Sequence, residues 1–369
     1  MTPPDDAASP APTQPTAASW PDVLATLLRG EDLSAADAGW AMAEVMSGEA
    51  TPSQVAGFVM ALRAKGETAA EVGALVDVML TRAVRVVGAG PSLDVVGTGG
   101  DRAHTVNIST MAAIVAAAAG ARVVKHGNRA ASSTTGTADV LEELGVVIAL
   151  PATAVVPCVE QAGIAFCFAP THHPAMRHAA VPRRELGVPT VFNVLGPLAN
   201  PAEPAAALIG CADARLAPVM AGVLAARGVR ALVVRGDDGL DEITTATTTT
   251  VWDTRAGDGS VALTTLDPAA LGIPVPEAGA LRGGEAAHNA AVVRAVMAGE
   301  QGAAADAVML NAAAALAVWD VAVGAGDPAM PLADAVASAL PRARAVAADG
   351  RATALLDRWV ATTQHLAQG

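Results

Sequence analysis

The spacing of apolar and polar residues predicts four helices near the start of the chain, with no strand among them. Ser34 and Thr68 begin capping-box patterns, and Thr51 precedes a proline at the first turn of a helix. The four predicted helices cover residues 20–29, 34–48, 51–66 and 68–83. This run favours a small helical domain over residues 20–86. Residues 1–19 show no periodic pattern and are interpreted as a disordered leader.

After Ser92 the pattern changes to short apolar strands that alternate with helices. The predicted strands are residues 93–96, 122–125, 146–150, 165–168, 206–209 and 231–234, with an edge strand over the threonine run 244–250. The predicted helices are residues 108–120, 138–144, 152–162 and 214–227, and the chain is mostly helical after Glu285. This alternation indicates an α/β domain over residues 87–369, with a mainly parallel central sheet flanked by helices. We expect a helical segment around residues 174–198 to join the small domain.

The composition restricts the compartment and the class of partner. A formal net charge of −13 argues against a protein that tracks a nucleic-acid backbone. Cys158, Cys167 and Cys211 have no metal-finger spacing and fit reduced, buried thiols in a cytosolic protein. No secretory signal pattern opens the chain, and the apolar runs 111–119 and 312–319 are too short to span a bilayer. We therefore expect a soluble, cytoplasmic protein without nucleic-acid or membrane partners.

The rare polar residues are concentrated in one part of this bland sequence. The chain has only two lysines, Lys65 and Lys125, and most of its asparagines and histidines lie between residues 94 and 200. They are Asn107, Asn128, Asn193, Asn200, His104, His126, His172, His173 and His178. In parallel α/β sheets, ligands bind in the loops at the carboxyl ends of strands, and many of these residues fall in such loops. The chemistry is therefore expected there.

The first of these loops has the features of an anion site. Residues 97–101, with the sequence Gly-Thr-Gly-Gly-Asp, follow a predicted strand and precede a helix that begins at Asn107. Glycines let backbone N–H groups approach an anion, and a helix N-terminus adds partial positive charge. Ser109 and Thr110 supply hydroxyls for a phosphate or a phosphate-bound metal. The loop is neither a dinucleotide-binding fingerprint nor a P-loop, and a simple tight turn is the alternative.

A second polar loop follows the next strand, at whose end Lys125 lies. Lysine in a chain that uses arginine almost everywhere suggests a need for a compact ammonium group, the alternative being a surface lysine. The loop then contains His126, Asn128, Arg129, Ser132 and Ser133, ahead of a helix that we expect Thr137 to cap. Two phosphate-type loops on adjacent crossovers imply a ligand with two separate phosphate groups.

Charged residues after later strands suggest further roles. Asp241 and Glu242 follow the strand 231–234 and are oxygen ligands of the kind Mg²⁺ prefers, although an acidic turn would look the same. His172 and His173 lack metal-ligand partners at helical spacing, so a zinc site is not expected. Arg183 and its neighbour Arg184 could bind a carboxylate in bidentate fashion, but spacing alone favours solvated surface arginines.

Taken in order, these motifs resemble the anthranilate phosphoribosyltransferase family from about Trp20 to the C-terminus. The resemblance is carried by residues 97–101, 107–110, 125–133, 173–177, 192–198 and 237–242. It implies a homodimer of the nucleoside phosphorylase/phosphoribosyltransferase-like fold, with the active site at the hinge between its two domains. It also implies two substrates, 5-phosphoribosyl 1-diphosphate and anthranilate, and Mg²⁺ as cofactor, with two ions expected.

The resemblance also implies roles for individual residues. Phosphoribosyl diphosphate would be bound by Gly97, Gly100, Asp101, Thr105, Asn107, Ile108, Ser109, Thr110, Lys125, His126, Gly127, Asn128, Arg129, Ala130, Ala131, Ser132, Ser133 and Thr137. Anthranilate would be bound by Gly97, His126, Asn128, His173 and Arg183, and Mg²⁺ by Ser109, Asp241 and Glu242. Lys125, Asn128 and Arg183 would act in catalysis. His104 is given no role, and Met176 stands where some relatives carry an aromatic residue.

The implied reaction displaces diphosphate from the anomeric carbon of ribose by the weakly basic anthranilate amine, which requires no strong general base. A pyrimidine nucleoside phosphorylase is one alternative, but its Lys-His-Ser-Thr-Gly-Gly type of loop is absent. A non-enzymatic nucleic-acid-binding relative of the same fold is the other. Such a protein should be basic and should lack the pair Asp241 and Glu242.

Overall fold

The computed structural model describes residues 18–130 and 134–368. The first four helices are α1 (Trp20–Leu28), α2 (Ala35–Ser47), α3 (Pro52–Lys65) and α4 (Ala69–Thr81), as the apolar spacing predicted. Each begins at a serine or threonine whose hydroxyl accepts the backbone N–H three residues later. Full capping boxes form at Thr51 and Thr68. Most of the predicted leader lies outside the described residues.

Seven strands follow and form one sheet in the order β3-β2-β1-β4-β5-β6-β7. The strands are β1 (Leu93–Gly97), β2 (Val123–Gly127), β3 (Ile164–Phe168), β4 (Ala206–Gly210), β5 (Arg230–Gly236), β6 (Thr249–Asp253) and β7 (Ala262–Leu266). The first five pair in parallel, whereas β6 and β7 are antiparallel. The predicted fold class, a small helical part followed by a mainly parallel sheet, is confirmed.

Helices cover both faces of the sheet. They are α5 (Ile108–Ala118), α6 (Thr137–Leu144), α7 (Ala152–Ala162), α8 (Ala169–His172), α9 (Ala180–Leu186), α10 (Phe192–Leu198), α11 (Ala217–Ala226), α12 (Ala286–Met297), α13 (Ala303–Ala322), α14 (Leu332–Ala348) and α15 (Arg351–Leu366), with 3₁₀ turns at Pro174–Ala179 and Ala269–Leu271. One hydrophobic cluster joins one face of the sheet to α5, α13 and α15. The other joins the opposite face to α1–α4, α10 and α11.

Packing between helices bears on two predictions. The 3₁₀ turn Pro174–Ala179 packs on α2, and α9 packs on α3, so the segment around residues 174–198 does contact the first helices. The exact domain boundaries stay a prediction. By length and composition α13 could cross a membrane, but 72% of its most apolar window is buried in the protein interior, as in a core helix. Cys158, Cys167 and Cys211 are free and buried, as predicted.

Three local predictions are wrong. Residues 146–150 alternate in burial as a strand would, but they join no strand ladder, and Val147 instead donates its backbone N–H to the hydroxyl of Thr363 at 3.1 Å. The threonine run forms strand only from Thr249, and β6 lies inside the sheet rather than at its edge because β7 pairs with it. Gly136, not Thr137, is the N-cap residue of α6, because Thr137 is already the first residue of the helix; a side chain at position 136 would collide with the backbone of Ala130.

The stability of the helical part should depend on Glu71, whose side chain is fully buried. It accepts hydrogen bonds from the backbone of Leu33 and Thr68 and pairs with the buried Lys65 at 2.8 Å. We expect Glu71→Ala to cost about 3 kcal/mol, because it leaves a buried ammonium and a backbone N–H without this partner. Urea unfolding would measure the loss. Glu31→Ala, which removes an exposed pair with Arg29, should leave the midpoint unchanged, and equal midpoints for both variants would contradict the prediction.

Candidate active site

The carboxyl ends of β1 and β5 lie at the same edge of the sheet, and their loops meet there. Gly99 in the loop after β1 donates its backbone N–H to Oδ2 of Asp241 at 2.6 Å. Ser109 in the first turn of α5 donates its backbone N–H to Oε1 of Glu242 at 3.2 Å. The structure therefore brings the glycine-rich loop, the N-terminus of α5 and the acidic pair together, although they are far apart in sequence.

This meeting requires glycine at two strand ends. A side chain at Gly97, the last residue of β1, would collide with the carboxylate of Asp241. A side chain at Gly210, the last residue of β4, would collide with the backbone carbonyl of Asp241. The acidic turn is thus seated directly on the sheet edge, where only glycine leaves room for it.

The loop after β1 holds an unusual backbone conformation. Gly99 and Gly100 have positive φ, and so do Arg102 and His104 at 59° and 51°. Left-handed conformations cost energy for residues with a side chain and persist where surrounding structure holds them. Here a later segment does so, because Gly283 donates its N–H to the carbonyl of His104 at 2.7 Å. The sequence had indicated no role for His104, and the structure gives it this backbone contact.

Asp241 and Glu242 are largely buried, with exposures of 9% and 8%. Burial raises the pKa of Glu242 to about 7, with the charge of Asp101 adding to the effect and Lys125 opposing it. Burial, the charge of Glu242 and that of Asp101 raise the pKa of Asp241 well above its usual value. Without a cation, burial makes both carboxylates costly to ionise. Two such adjacent carboxylates fit the oxygen ligands of a divalent cation.

The ligands available from the protein are few. Within residues 18–130 and 134–368, no three or more His, Cys, Asp or Glu side chains converge as a metal site. Mg²⁺ commonly binds one or two carboxylates and takes its remaining ligands from water and substrate phosphates. Asp241, Glu242 and the neighbouring Ser109 therefore fit a substrate-completed magnesium site, and the alternative of a merely exposed acidic turn does not fit their burial.

Lys125 is not a surface lysine, because it is only 1% exposed. Its ammonium donates to the backbone carbonyl of Val95 and lies 3.4 Å from Oγ of Ser109. Burial lowers its pKa, while the charges of Asp94 and Glu242 act to raise it. This places the buried ammonium group of Lys125 beside the N-terminus of α5, where the charge of Glu242 acts on it.

Asp94 is buried in β1 close enough for its charge to act on Lys125, and the sequence motifs did not indicate a role for it. Its carboxylate accepts from the backbone N–H of His126 at 3.2 Å and from Nδ2 of Asn200 at 2.8 Å. Burial raises its pKa to about 6, and the charge of Lys125 acts against that rise. Asn200 also donates to the carbonyl of Val124 at 2.8 Å. An acidic residue inside an apolar strand was the signal that could have indicated this support for β2.

The loop after β2 is only partly described, since Ala131, Ser132 and Ser133 lie outside the described residues. Asn128 is exposed, and its Oδ1 accepts from the backbone N–H of Arg129 at 2.8 Å. The Arg129 guanidinium contacts Asp139 and Glu142 at 2.8 and 2.6 Å on α6, so in this structure it is engaged away from Lys125.

The other residues predicted to bind phosphate differ in which of their groups could reach a ligand. Ile108 packs into the hydrophobic core and can offer only its backbone. A side chain at Gly127 would press on the ring of Phe166, and Ala130 donates its N–H to Asp139 at 3.2 Å. Thr110 and Thr137 link α5 to α6 through their hydroxyls at 3.4 Å.

Two neutral histidines, His126 and His173, lie next to each other at these loops. The ring centres of His126 and His173 are 5.2 Å apart. Nδ1 of His126 is hydrogen-bonded to the carbonyl of Gly196 at 3.0 Å, and Nε2 of His173 to the carbonyl of Ala199 at 2.8 Å. Burial, followed by the charge of His173, lowers the pKa of His126 to about 3. Burial also lowers the pKa of His173. Both rings are thus neutral near pH 7 and provide a polar surface rather than a charge.

Arg183 differs from its neighbour in the same helix. Its guanidinium lies 5.3 Å from the centre of the Phe192 ring and is partly buried, whereas Arg184 is exposed. Burial lowers the pKa of Arg183. Within the described residues Arg183 has no acidic partner, so its guanidinium is available to an external carboxylate.

Comparisons with known proteins agree with this geometry. The family model described as "Glycosyl transferase family, a/b domain" matches residues 89–353, and the corresponding helical bundle domain matches residues 21–83. The chain is 59% identical to an anthranilate phosphoribosyltransferase of Nocardioides sp. over 94% of this chain and 99% of that protein. The chain belongs to the anthranilate phosphoribosyltransferase family.

Solved structures of this family extend the match. The Thermus thermophilus anthranilate phosphoribosyltransferase has a TM-score of 0.83 and 40% identity, covering 93% of this chain and 99% of that one. The Saccharomyces cerevisiae enzyme in complex with PRPP and Mg has a TM-score of 0.82 and 26% identity, covering 94% and 98%. The resemblance read from the motifs is therefore confirmed, whereas the roles of individual residues stay predictions.

A pH dependence of stability follows from the neutral, buried His126. Between its folded pKa of about 3 and the ordinary value of about 6.5, the unfolded chain binds the extra proton, so stability falls as pH drops through this window. We expect wild type to lose about 2 kcal/mol at about pH 5 from this residue alone. Asp94 and Glu242, whose pKa values are raised, oppose the trend equally in wild type and variants.

Urea unfolding at about pH 7.5 and about pH 5 measures this effect. His126→Leu should lose less stability between the two pH values than wild type, and the exposed His288→Gln should follow wild type. Parallel losses in wild type and His126→Leu would show that His126 is not the titrating group.

Proposed function

We propose that this protein transfers the 5-phosphoribosyl group from 5-phosphoribosyl 1-diphosphate to the amine of anthranilate. The products are N-(5-phosphoribosyl)anthranilate and diphosphate, the second step of tryptophan biosynthesis from chorismate. The observation that carries the proposal is the contact of the glycine-rich loop and α5 with Asp241 and Glu242, with the buried ammonium of Lys125 beside Ser109. Such a site would hold a divalent cation through its carboxylates, and the cation would offset the charge of a diphosphate leaving group.

The two loops would bind the two ends of the sugar phosphate. The first loop and the N-terminus of α5 would bind the diphosphate through Gly97, Gly100, Asp101, Thr105, Asn107, Ser109 and Thr110. The loop 126–133 would lie nearer the 5-phosphate, whereas the ammonium of Lys125, 3.4 Å from Oγ of Ser109, would lie on the diphosphate side. Positive backbone φ angles at Gly99 and Gly100 and the helix N-terminus support anion binding in the first loop.

Magnesium would be held by Ser109, Asp241 and Glu242, and we propose two ions. When bound, Mg²⁺ offsets the negative charge that develops on the departing diphosphate. The chain's own contribution is to bury these carboxylates on a rigid strand edge and to hold the ammonium of Lys125 beside Ser109. Because these groups are fixed before the substrate arrives, little reorganisation is needed as charge develops.

Anthranilate would approach past Asn128, Gly97 and the two histidines His126 and His173. Arg183 would bind its carboxylate. The missing acidic partner of Arg183 among the described residues supports this orientation, since a planar guanidinium matches a carboxylate. His126 and His173 are neutral and bound to backbone carbonyls, so they are assigned to shape the site rather than to remove a proton. An aryl amine loses its proton readily once bonded to carbon and needs no strong base.

The alternatives are less well supported. A pyrimidine nucleoside phosphorylase needs no aromatic carboxylate site, and a nucleic-acid-binding relative would need a positive surface, whereas this chain has a net charge of −13. The decisive assay is loss of anthranilate fluorescence on addition of phosphoribosyl diphosphate and Mg²⁺, alongside a phosphorolysis assay with thymidine and uridine. A homodimer in the cytoplasm, without nucleic-acid or membrane partners, completes the proposal.

Arg183→Ala should raise the KM for anthranilate roughly tenfold to hundredfold, because a charge-assisted hydrogen bond to the carboxylate is lost. The KM for phosphoribosyl diphosphate should stay within about twofold. Arg184→Ala provides the matched control, since it removes an exposed arginine from the same helix. Equal increases for both substrates, or the same effect from Arg184→Ala, would reject the assignment.

Asp241→Asn combined with Glu242→Gln should lower turnover at saturating Mg²⁺ by about a hundredfold or more, because the carboxylate ligands are lost. Asp237→Asn is the control, since Asp237 is exposed in the same turn and its carboxylate accepts from the hydroxyls of Thr248 and Thr250. Initial rates over a Mg²⁺ titration measure the effect. Unchanged activity in the double variant would remove both residues as metal ligands.

A further inference from the structure

Residues 281–285, which immediately precede α12, run along the loop that follows β1. Val106 donates its backbone N–H to the carbonyl of Leu281 at 2.9 Å, and Thr105 pairs with Arg282 as an isolated β-bridge. A side chain at Gly283 would press on the backbone of Thr105. The sequence motifs gave this segment no function, yet it fits closely against a proposed phosphate-binding loop.

Asn289, in the first turns of α12, is buried beneath this segment with 2% exposure. Its Oδ1 accepts the backbone N–H of Gly284 at 2.8 Å, and its Nδ2 donates to Oδ1 of Asn107 at 2.9 Å. A backbone N–H can only donate, so the side-chain oxygen of Asn289 must face Gly284. Its amino group therefore faces Asn107, which must present its own oxygen in return.

The same logic continues around a closed ring of hydrogen bonds. With its oxygen turned to Asn289, Asn107 donates Nδ2 to the backbone carbonyl of Thr135 at 3.3 Å. The hydroxyl of Thr135 donates to the carbonyl of Gly284 at 2.7 Å, which returns the ring to the residue that Asn289 holds. Asn107 belongs to the first loop and Thr135 to the end of the second. The ring therefore ties the two loops to each other and to α12.

We propose that Asn289 is a positioning residue for phosphoribosyl diphosphate. It acts through Asn107, by fixing the orientation of that amide and the spacing between the loops at the two ends of the substrate. This inference rests on the proposed function. A binding site held in place before the ligand arrives avoids the ordering cost on binding, so loss of the ring should weaken this substrate selectively.

Asn107 has a second feature that supports this role. It occupies the N-cap position of α5, where an asparagine side chain usually accepts a backbone N–H of its own helix, but it makes no such bond here. Its amide is directed instead to Asn289 and Thr135. The side chain of Asn107 therefore connects the start of α5 to Asn289 and Thr135 instead of capping its own helix.

The test compares Asn289→Ala and Asn289→Asp with wild type, in steady-state kinetics and in calorimetric titration with phosphoribosyl diphosphate and Mg²⁺. In each variant we expect the KM and Kd for phosphoribosyl diphosphate to rise about tenfold, with the KM for anthranilate within about twofold. The aspartate keeps the size of the side chain but sets an oxygen against the Asn107 oxygen. A role in packing alone predicts that Asn289→Asp binds phosphoribosyl diphosphate as wild type does, which would overturn the proposal.

Thr363→Ala is the control for loss of a buried polar group, because its hydroxyl bonds to the backbone of Val147 and Val360, away from the two loops. It should lower the unfolding midpoint and leave both KM values unchanged. If its KM for phosphoribosyl diphosphate rises as in Asn289→Ala, the effect is general destabilisation and the proposal fails.

A double-mutant cycle with Asn107→Ala tests whether Asn289 acts through Asn107. The double variant should bind phosphoribosyl diphosphate about as weakly as Asn107→Ala alone, since the second change removes nothing more from the substrate. If the two substitutions together weaken binding by the product of their separate factors, the residues have independent roles and the proposal is overturned.

A different result would reject the proposed function: a wild-type protein that binds phosphoribosyl diphosphate in calorimetry but transfers nothing to anthranilate. The calorimetric comparison of the variants would still decide the role of Asn289.

Discussion

The site depends on the burial of two adjacent carboxylates, Asp241 and Glu242, at the edge of a parallel sheet. Removing them from water makes their ionised forms costly, and the raised pKa of Glu242 reflects that cost. Backbone N–H groups of Gly99 and Ser109 and the nearby ammonium of Lys125 offset it in part. A divalent cation would offset the remaining cost of ionising the two carboxylates, and substrate phosphates would complete its ligands. Binding of the cation and of the phosphorylated substrate is therefore expected to be coupled.

That arrangement accounts for the placement of the other polar groups. Lys125 is buried, and the charge of Asp94, which is itself held by Asn200 and the backbone of His126, acts to keep its ammonium protonated. The loop after β1 can hold a left-handed angle at His104 because residues 281–283 bond to the backbone of residues 104–106. Charge and strain at the site are thus supported by neutral hydrogen-bonding groups contributed from elsewhere in the chain.

The two sides of the site differ in their physical character. The phosphate side is built from backbone donors, glycines and buried charge on rigid strand ends, which favours electrostatic stabilisation of a leaving group. The side proposed for anthranilate would consist of neutral histidines and the partly buried Arg183, whose guanidinium lies over Phe192. A planar aromatic carboxylate suits the second side and a diphosphate the first, in agreement with membership of the anthranilate phosphoribosyltransferase family.

The sequence by itself determined the helical start, the strand-helix alternation and most of the polar residues at the strand ends, because each of these is written in local periodicity, caps and glycines. It failed at residues 146–150, whose strand-like alternation is satisfied by packing and by the hydroxyl of Thr363 instead of a ladder. It also could not reveal that Arg129 turns to α6 or that Asn289 closes a ring with Asn107. Those are contacts between segments distant in the chain, and only the tertiary structure decides which of several possible partners a side chain meets.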